Sequence, residues 1–182
     1  MSSPNNTRRA ARLAAVAVLA LGLSACFRPL YGPTASGAPM ADVLASIEVE
    51  PAVIAAVGQE RLGHYLRSEL VYDLNGSGQP QPKRYRLTLN ASESAVTPLI
   101  SSTTGRAESA TINGTVVYTL STFDGSKVLT TGRAVGAATY DRNPQRYANI
   151  RAAREAEIRL GKLLAEQIKI RIASVLATNP VP

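Results

Sequence analysis

Cysteine occurs once in this chain, histidine once, phenylalanine twice and tryptophan not at all. A single cysteine excludes any disulfide within the chain, so the fold must rest on core burial alone. The core must come from Leu, Ile, Val, Ala and Tyr. The lone histidine, His64, lies in a helical pattern one step from its apolar stripe, with no cysteine or carboxylate motif around it. A metal site or a Ser-His-Asp arrangement needs more than that. No Gly-rich loop leads from a strand into a helix, as a phosphate cradle requires. No carboxylate pair stands apart from the surface charges. These absences argue against an enzyme and call for neither a metal nor a cofactor.

Long apolar runs are also missing. The longest, Leu13 to Leu23, is about half of the roughly 20 residues that a spanning helix takes. It follows Arg8, Arg9 and Arg12 with no acidic residue between them, and it ends in Leu23-Ser24-Ala25-Cys26. A basic region, an apolar region and small residues before a cut make a secretory signal. Cysteine directly after the cut fits the bacterial lipoprotein pattern Leu-(Ala/Ser/Thr)-(Gly/Ala)-Cys. Cys26 is therefore expected to carry diacylglycerol, with a fatty acyl group such as palmitate on the new amino terminus. Thr7-Arg8-Arg9 is close to a twin-arginine signal, but Ala11 stands where a large apolar residue belongs. The export route stays open between the two.

Cleavage before Cys26 leaves 157 of the 182 residues, enough for one domain with its own core. The net charge of +7 falls to +4 once the three signal arginines are gone. The mature chain is thus only mildly basic and lacks an aromatic stacking platform, which excludes a nucleic-acid partner. The expected organisation is a signal over 1–25, a lipidated Pro/Gly/Ser-rich tether over 26–41, one domain over 42–178 and a tail over 179–182.

Within the domain, Leu44 to Val49 alternates as a strand that Pro51 ends. Leu62, Tyr65, Leu66, Glu69, Leu70 and Leu74 follow helical spacing from about Ala55 to Leu74, and Asn75-Gly76-Ser77-Gly78 breaks it. Tyr85, Leu87 and Leu89 alternate with polar residues, a half-buried strand. Ser92 to Gly105 is either a loop or an extension of that strand. A third strand carries Ala110, Ile112, Val116, Tyr118 and Leu120 on its apolar side, and Asp124-Gly125 turns it into a fourth, Val128 to Tyr140. The inward face of this fourth strand is open. Asn143 and Pro144 start a helix running from Gln145 to Leu176. Its stripe is Leu160, Leu164, Ile168, Ile172 and Leu176, preceded by Tyr147, Ile150, Ala153 and Ala156. The order β-α-β-β-β-α predicts an α+β two-layer sandwich, with two helices on one face of a four-stranded, mainly antiparallel sheet. The other sheet face is free for a partner.

Between Asp141 and Arg171 stand eight basic and four acidic residues, against nine and nine in the rest of the mature chain. Pairs such as Glu155–Arg159 and Glu166–Lys162 would neutralise part of this excess on a solvated helix. The other account is a face meeting a phosphate-bearing lipid or an acidic wall.

The lipobox followed by Phe27-Arg28-Pro29-Leu30-Tyr31-Gly32 resembles the start of the LPS-assembly lipoproteins (LptE), often Cys-Gly-Phe-Arg-Pro-Leu-Tyr; the glycine is missing here. Tyr147-Ala148-Asn149, with Arg151-Ala152 and Glu155-Ala156 in the same long helix, and the order of elements are similar too. The resemblance implies a non-enzymatic outer-membrane lipoprotein, periplasm-facing and lipid-anchored. Such a protein plugs the LPS-assembly β-barrel (LptD), helps it fold, and assists lipopolysaccharide insertion. Phe27, not Asp, follows the lipidated cysteine, so the usual inner-membrane retention signal is missing. The alternatives are an auxiliary lipoprotein of a phospholipid-transport ABC system and a lipid-anchored enzyme. If lipopolysaccharide is bound directly, its phosphates need cations less neutralised than those of the long helix. The sheet and its turns offer Arg84, Arg86, Arg106, Lys127 and Arg133 as the expected contacts.

Overall fold

The computed structural model describes residue 32, residue 34, and residues 37–54, 60–76, 81–97, 99–100, 102–103 and 105–178. The expected signal, Cys26, the Phe27–Tyr31 motif, Ala55 to Gln59 and the tail lie outside these residues. Eight elements follow one another in the order α1 (Met40–Ala45), β1 (Ile47–Val49), β2 (Val53–Ile54), α2 (Glu60–Asn75), β3 (Tyr85–Val96), β4 (Ser109–Thr122), β5 (Val128–Asp141) and α3 (Arg146–Thr178).

The sheet is mixed. β3, β4 and β5 form an antiparallel meander, while β1 and β2 both lie parallel to β3 on its outer edge. The expected first strand is therefore two short pieces. Pro51 has no N–H for the ladder, so pairing stops and resumes two residues later. The expected start of that strand is also corrected. Leu44 and Ala45 end helix α1, which begins after Pro39 and buries Met40 and Leu44. Thr34 is buried as well, and its hydroxyl donates to the Ala38 carbonyl at 3.1 Å.

The open choice for Ser92 onward resolves as strand: β3 pairs with β4 without a break from Tyr85↔Thr122 to Val96↔Thr111. The hairpin joining β4 to β5 closes as Asp124-Gly125 suggests. Gly125 takes φ of +75°, and the Asp124 carboxylate accepts the Ser126 N–H at 3.1 Å. α3 is capped by a reciprocal asparagine pair. Asn143 Oδ1 accepts from the Gln145 N–H at 3.0 Å, and Asn149 Oδ1 accepts from the Asn143 N–H at 2.6 Å.

The two long helices, α2 and α3, cover one sheet face. Leu62, Leu66 and Leu70 of α2 and Leu87, Leu89 and Leu120 of the sheet are buried, and Leu160, Leu164, Ile168, Ile172 and Leu176 of α3 are wholly buried. The inward face of β5 is the one carrying Ala134 and Ala138, with Gly132 and Gly136 on the same side. Small residues there let α3 lie close. A Cβ at Gly136 would meet Leu163 Cδ2 at 2.8 Å, and one at Gly114 would meet Leu160 Cδ2 at 3.0 Å. Among the described residues no helix is long and apolar enough to cross a membrane.

The stripe of α3 is shorter than its periodicity suggests. Tyr147 and Ile150 are 73% and 54% exposed, and none of the first ten residues of α3 is buried. The helix meets the core only from Ala156 onward. The expected pairs Glu155–Arg159 and Glu166–Lys162 form no ion pair among the described residues. Arg159 Nη2 instead donates to the Thr139 carbonyl at 2.9 Å.

Candidate functional site

The helix-free side of the sheet is set by alternation. With the odd positions of β3 and the even positions of β4 and β5 buried, the opposite set faces outward. It reads Thr88, Asn90, Ser92 and Ser94 on β3, Thr111, Asn113, Thr115 and Thr119 on β4, and Thr131 and Thr139 on β5. The threonines pair across strands: the Thr111 and Thr139 hydroxyls lie 2.8 Å apart, and those of Thr119 and Thr131 lie 3.4 Å apart. Val117 and Val135 interrupt the hydroxyls near the centre. A shallow hollow lined by Val53, Asn90, Thr115 and Val117 lies beside them. The face is hydroxyl-rich and sparsely charged, suited to a polar wall rather than to a buried apolar partner.

Its edges differ. α3 runs along the outer edge of β5 and seals it. Arg159, Gln167 and Arg171 donate to the carbonyls of Thr139, Val135 and Arg133 at 2.9, 3.0 and 2.5 Å. Side chains every fourth residue on a helix advance about 6 Å, close to the 6.6–6.8 Å between alternate strand residues, so helix and strand stay in register. A covered edge cannot template another strand.

The five expected lipid contacts do not form one cluster. Arg84, Arg86 and Lys127 lie at the end carrying the β4–β5 turn. Arg86 is committed there: its guanidinium stacks 5.2 Å from the Phe123 ring centre, and its Nε lies 3.3 Å from Glu50 Oε1. Arg84 and Lys127 are exposed. Arg133 sits mid-face, directly across from Val117. Arg106 lies at the opposite end, in a groove shared with Glu108, Arg142, Asn143 and Asn149. From Ser109 to Thr122, β4 spans roughly 45 Å between the two ends.

The buried charge was missing from the sequence reading. Glu157 of α3, almost wholly buried, takes two hydrogen bonds from Arg61 of α2. Glu93 of β3 feels this pair. Burial raises its pKa above the ordinary carboxylate range, the Glu157 charge adds to the rise, and Arg61 opposes it. Nothing near one helix in sequence marks a partner 96 residues away. His64 is exposed, packed edge-on to Tyr65 at 5.7 Å, and no cluster of three metal-ligating side chains occurs among the described residues.

The chain is similar to known proteins. The model of the family described as LptE, lipopolysaccharide-assembly, matches residues 44–172, more than two thirds of the chain. The crystal structure of a candidate lipoprotein from Caulobacter crescentus CB15 is 26% identical, with a TM-score of 0.58, over 77% of this chain and 97% of that one. The rare lipoprotein B of Shewanella oneidensis is 14% identical with a TM-score of 0.44, over 70% of this chain and 98% of that one. A minor lipoprotein from Acinetobacter baumannii is 13% identical with a TM-score of 0.45, over 76% and 98%. No curated protein matches the chain significantly.

Proposed function

Because the chain belongs to the LptE lipopolysaccharide-assembly family, we propose that it is an outer-membrane lipoprotein that plugs the lumen of the LPS-assembly β-barrel, LptD. In that position it helps the barrel assemble and assists lipopolysaccharide insertion. Family membership supports the role in lipopolysaccharide assembly, and the proposed role is a structural one. The plug is the finer reading, and one observation supports it: strands of 12 to 14 residues with one face that no helix among the described residues covers and that is rich in hydroxyls.

Strands in globular proteins usually hold about 5–6 residues. Here β4 alone runs roughly 45 Å, longer than the ~30 Å hydrocarbon core of a bilayer. A slab of that height can line a transmembrane lumen from end to end. Its threonine, serine and asparagine face suits the polar interior of a large barrel. Cys26 supplies the anchor in this reading. Two or more acyl chains hold stably, since each buried methylene contributes roughly 0.8 kcal/mol.

Direct contact with lipopolysaccharide belongs to the same proposal. Arg84, Lys127 and Arg133 remain candidates on the sheet and its turn, Arg86 is weakened as one by its ring and carboxylate partners, and Arg106 stands apart at the other end. Co-purification of the full lipidated chain from detergent-solubilised outer membranes tests the plug. One β-barrel protein recovered at a one-to-one ratio in high salt supports it, because an enclosed interface is screened little. Recovery alone, or with inner-membrane transporter subunits, contradicts it.

A further inference from the structure

The helix-free face is ordered in rows that run across the strands. Register places Thr88, Thr119 and Thr131 in one row, and Thr111 and Thr139 in another roughly 27 Å further along. In both rows the hydroxyls are spent within the chain. Those of Thr119 and Thr131 lie 3.4 Å apart, those of Thr111 and Thr139 lie 2.8 Å apart, and Thr88 donates to the Thr119 carbonyl at 3.3 Å.

Three rows lie between these two. The first holds Val53, Asn90, Val117 and Arg133, the second Ser92, Thr115 and Val135, and the third Ser94, Asn113 and Ala137. Among the described residues, no amide or hydroxyl side chain of this middle band has a hydrogen-bond partner. Val53, Val117 and Val135 stand in the same band, 65%, 41% and 53% exposed. The hollow lined by Val53, Asn90, Ser92, Thr115 and Val117, about 400 Å³, opens within it.

This partition decides where a partner gains most. A paired hydroxyl gives up one bond to make another, so contact with the threonine rows returns little. The groups of the middle band exchange only water, and the valines beside them gain from its removal. A hollow that combines apolar and hydrogen-bonding groups inside a larger contact is where one side chain carries most of an interface. Such anchors are mostly tryptophan, tyrosine or arginine. Arg133 is the one charge in the three rows and lies directly across from Val117. It repels a guanidinium and favours the electron-rich face of a ring. Asn90, Ser92 and Thr115 offer both donors and acceptors. An indole N–H only donates, whereas a phenolic hydroxyl does both.

We propose that this hollow is the anchor point of the barrel contact and takes a tyrosine from the luminal wall. The ring lies against Val53 and Val117, and the hydroxyl lies among Asn90, Ser92 and Thr115. The anchor rests on the plug reading, and it names where the wall grips the slab and by what chemistry.

Competition between full lipidated chains in cells tests it. A tagged parent chain and an equally expressed variant compete for the barrel, and the ratio recovered with the barrel from outer membranes is read. Val53→Ala with Val117→Ala should lower the variant's share about tenfold, the scale of a lost interface anchor. Thr111→Val with Thr139→Val, which removes a spent hydroxyl pair, should change it less than twofold. Equal melting temperatures of the purified variants control for misfolding. A photoreactive residue at Ser94, beside the hollow but outside its lining, should join the chain to a tyrosine-bearing segment of the barrel's inner wall. Replacing that tyrosine by alanine should erase the difference between the parent and the valine variant, as for two groups in contact. An unchanged share for the valine variant, or equal losses from the two pairs of changes, would overturn the anchor and leave the plug standing. Adducts from Ser94 to lipid or to a second copy of this chain would overturn it as well. If the parent chain itself recovers no barrel, the plug fails and the anchor with it.

Discussion

Arg61 closes on Glu157 with two arms of its guanidinium, Nε to Oε2 at 2.8 Å and Nη2 to Oε1 at 2.6 Å. The bond ties α2 to α3, and it is lopsided: the Arg61 side chain is 59% exposed and that of Glu157 only 5%. Removing the arginine strands a carboxylate with little water, whereas neutralising the carboxylate leaves an arginine that water can solvate. Arg61→Ala should therefore cost about 3 kcal/mol, near the low end for breaking a buried pair. Glu157→Gln should cost about 1 kcal/mol, the scale of one net hydrogen bond. Urea midpoints of the two variants measure this; equal losses would show that burial of Glu157 does not set the cost.

Glu93 gives the pH dependence a definite sign. Burial first, and the Glu157 charge second, raise its pKa in the folded chain. A carboxylic acid with a raised folded pKa binds its proton more tightly when folded. Its contribution to stability is therefore greatest below its unfolded pKa, about 4.3, and falls as pH rises through the folded value. Glu93→Gln removes that loss. The variant should be more stable than the parent at pH 7 and should lose its advantage toward pH 4. A constant difference across this range would contradict the assignment.

The seal on β5 predicts a second kind of defect. Arg159→Ala with Arg171→Ala removes donors to the Arg133 and Thr139 carbonyls. Each should cost about 0.5–1.5 kcal/mol, and the strand edge should open to other chains. Amide exchange over Val128 to Asp141 should quicken, and self-association should appear at high concentration. Lys162→Ala with Glu166→Ala, which leaves the seal untouched, should do neither.

Cys26 is expected to be lipidated and to begin the mature chain. Mass spectrometry of the amino-terminal peptide should show acyl groups on Cys26, and Cys26→Ser should release the protein from the membrane. A peptide beginning at Met1, or an unmodified one beginning at Phe27, would contradict it.

Most of the architecture was legible because burial imposes a period. Leu160, Leu164, Ile168, Ile172 and Leu176 announced the covered side of α3, and Tyr85, Leu87 and Leu89 that of β3. What failed was local competition and reach. Leu44 alternates well enough for a strand, yet Pro39 and a buried Met40 recruit it to a helix. Tyr147 and Ile150 carry the right period but lie before the turn where α3 meets the core. The inward face of β5 was illegible because its small residues bury little area on either side. The resemblance of Tyr147-Ala148-Asn149 to the LptE family survived this, since a family pattern does not depend on burial. The site was read less well than the fold. Five cations on strands and turns looked like one set, and only the register of β3, β4 and β5 shows them divided between the middle of the sheet and its two ends.

In the proposed complex the helix-free face meets the barrel. Val135 lies on that face, 53% exposed, and Ile170 lies on the outer side of α3, 43% exposed. Enlarging either exposed side chain should leave stability within about 0.5 kcal/mol. The most direct measurement is co-purification of the barrel with Val135→Trp and with Ile170→Trp, after equal melting temperatures are verified. Val135→Trp should lose the barrel while Ile170→Trp keeps it; full recovery with Val135→Trp would contradict the claim.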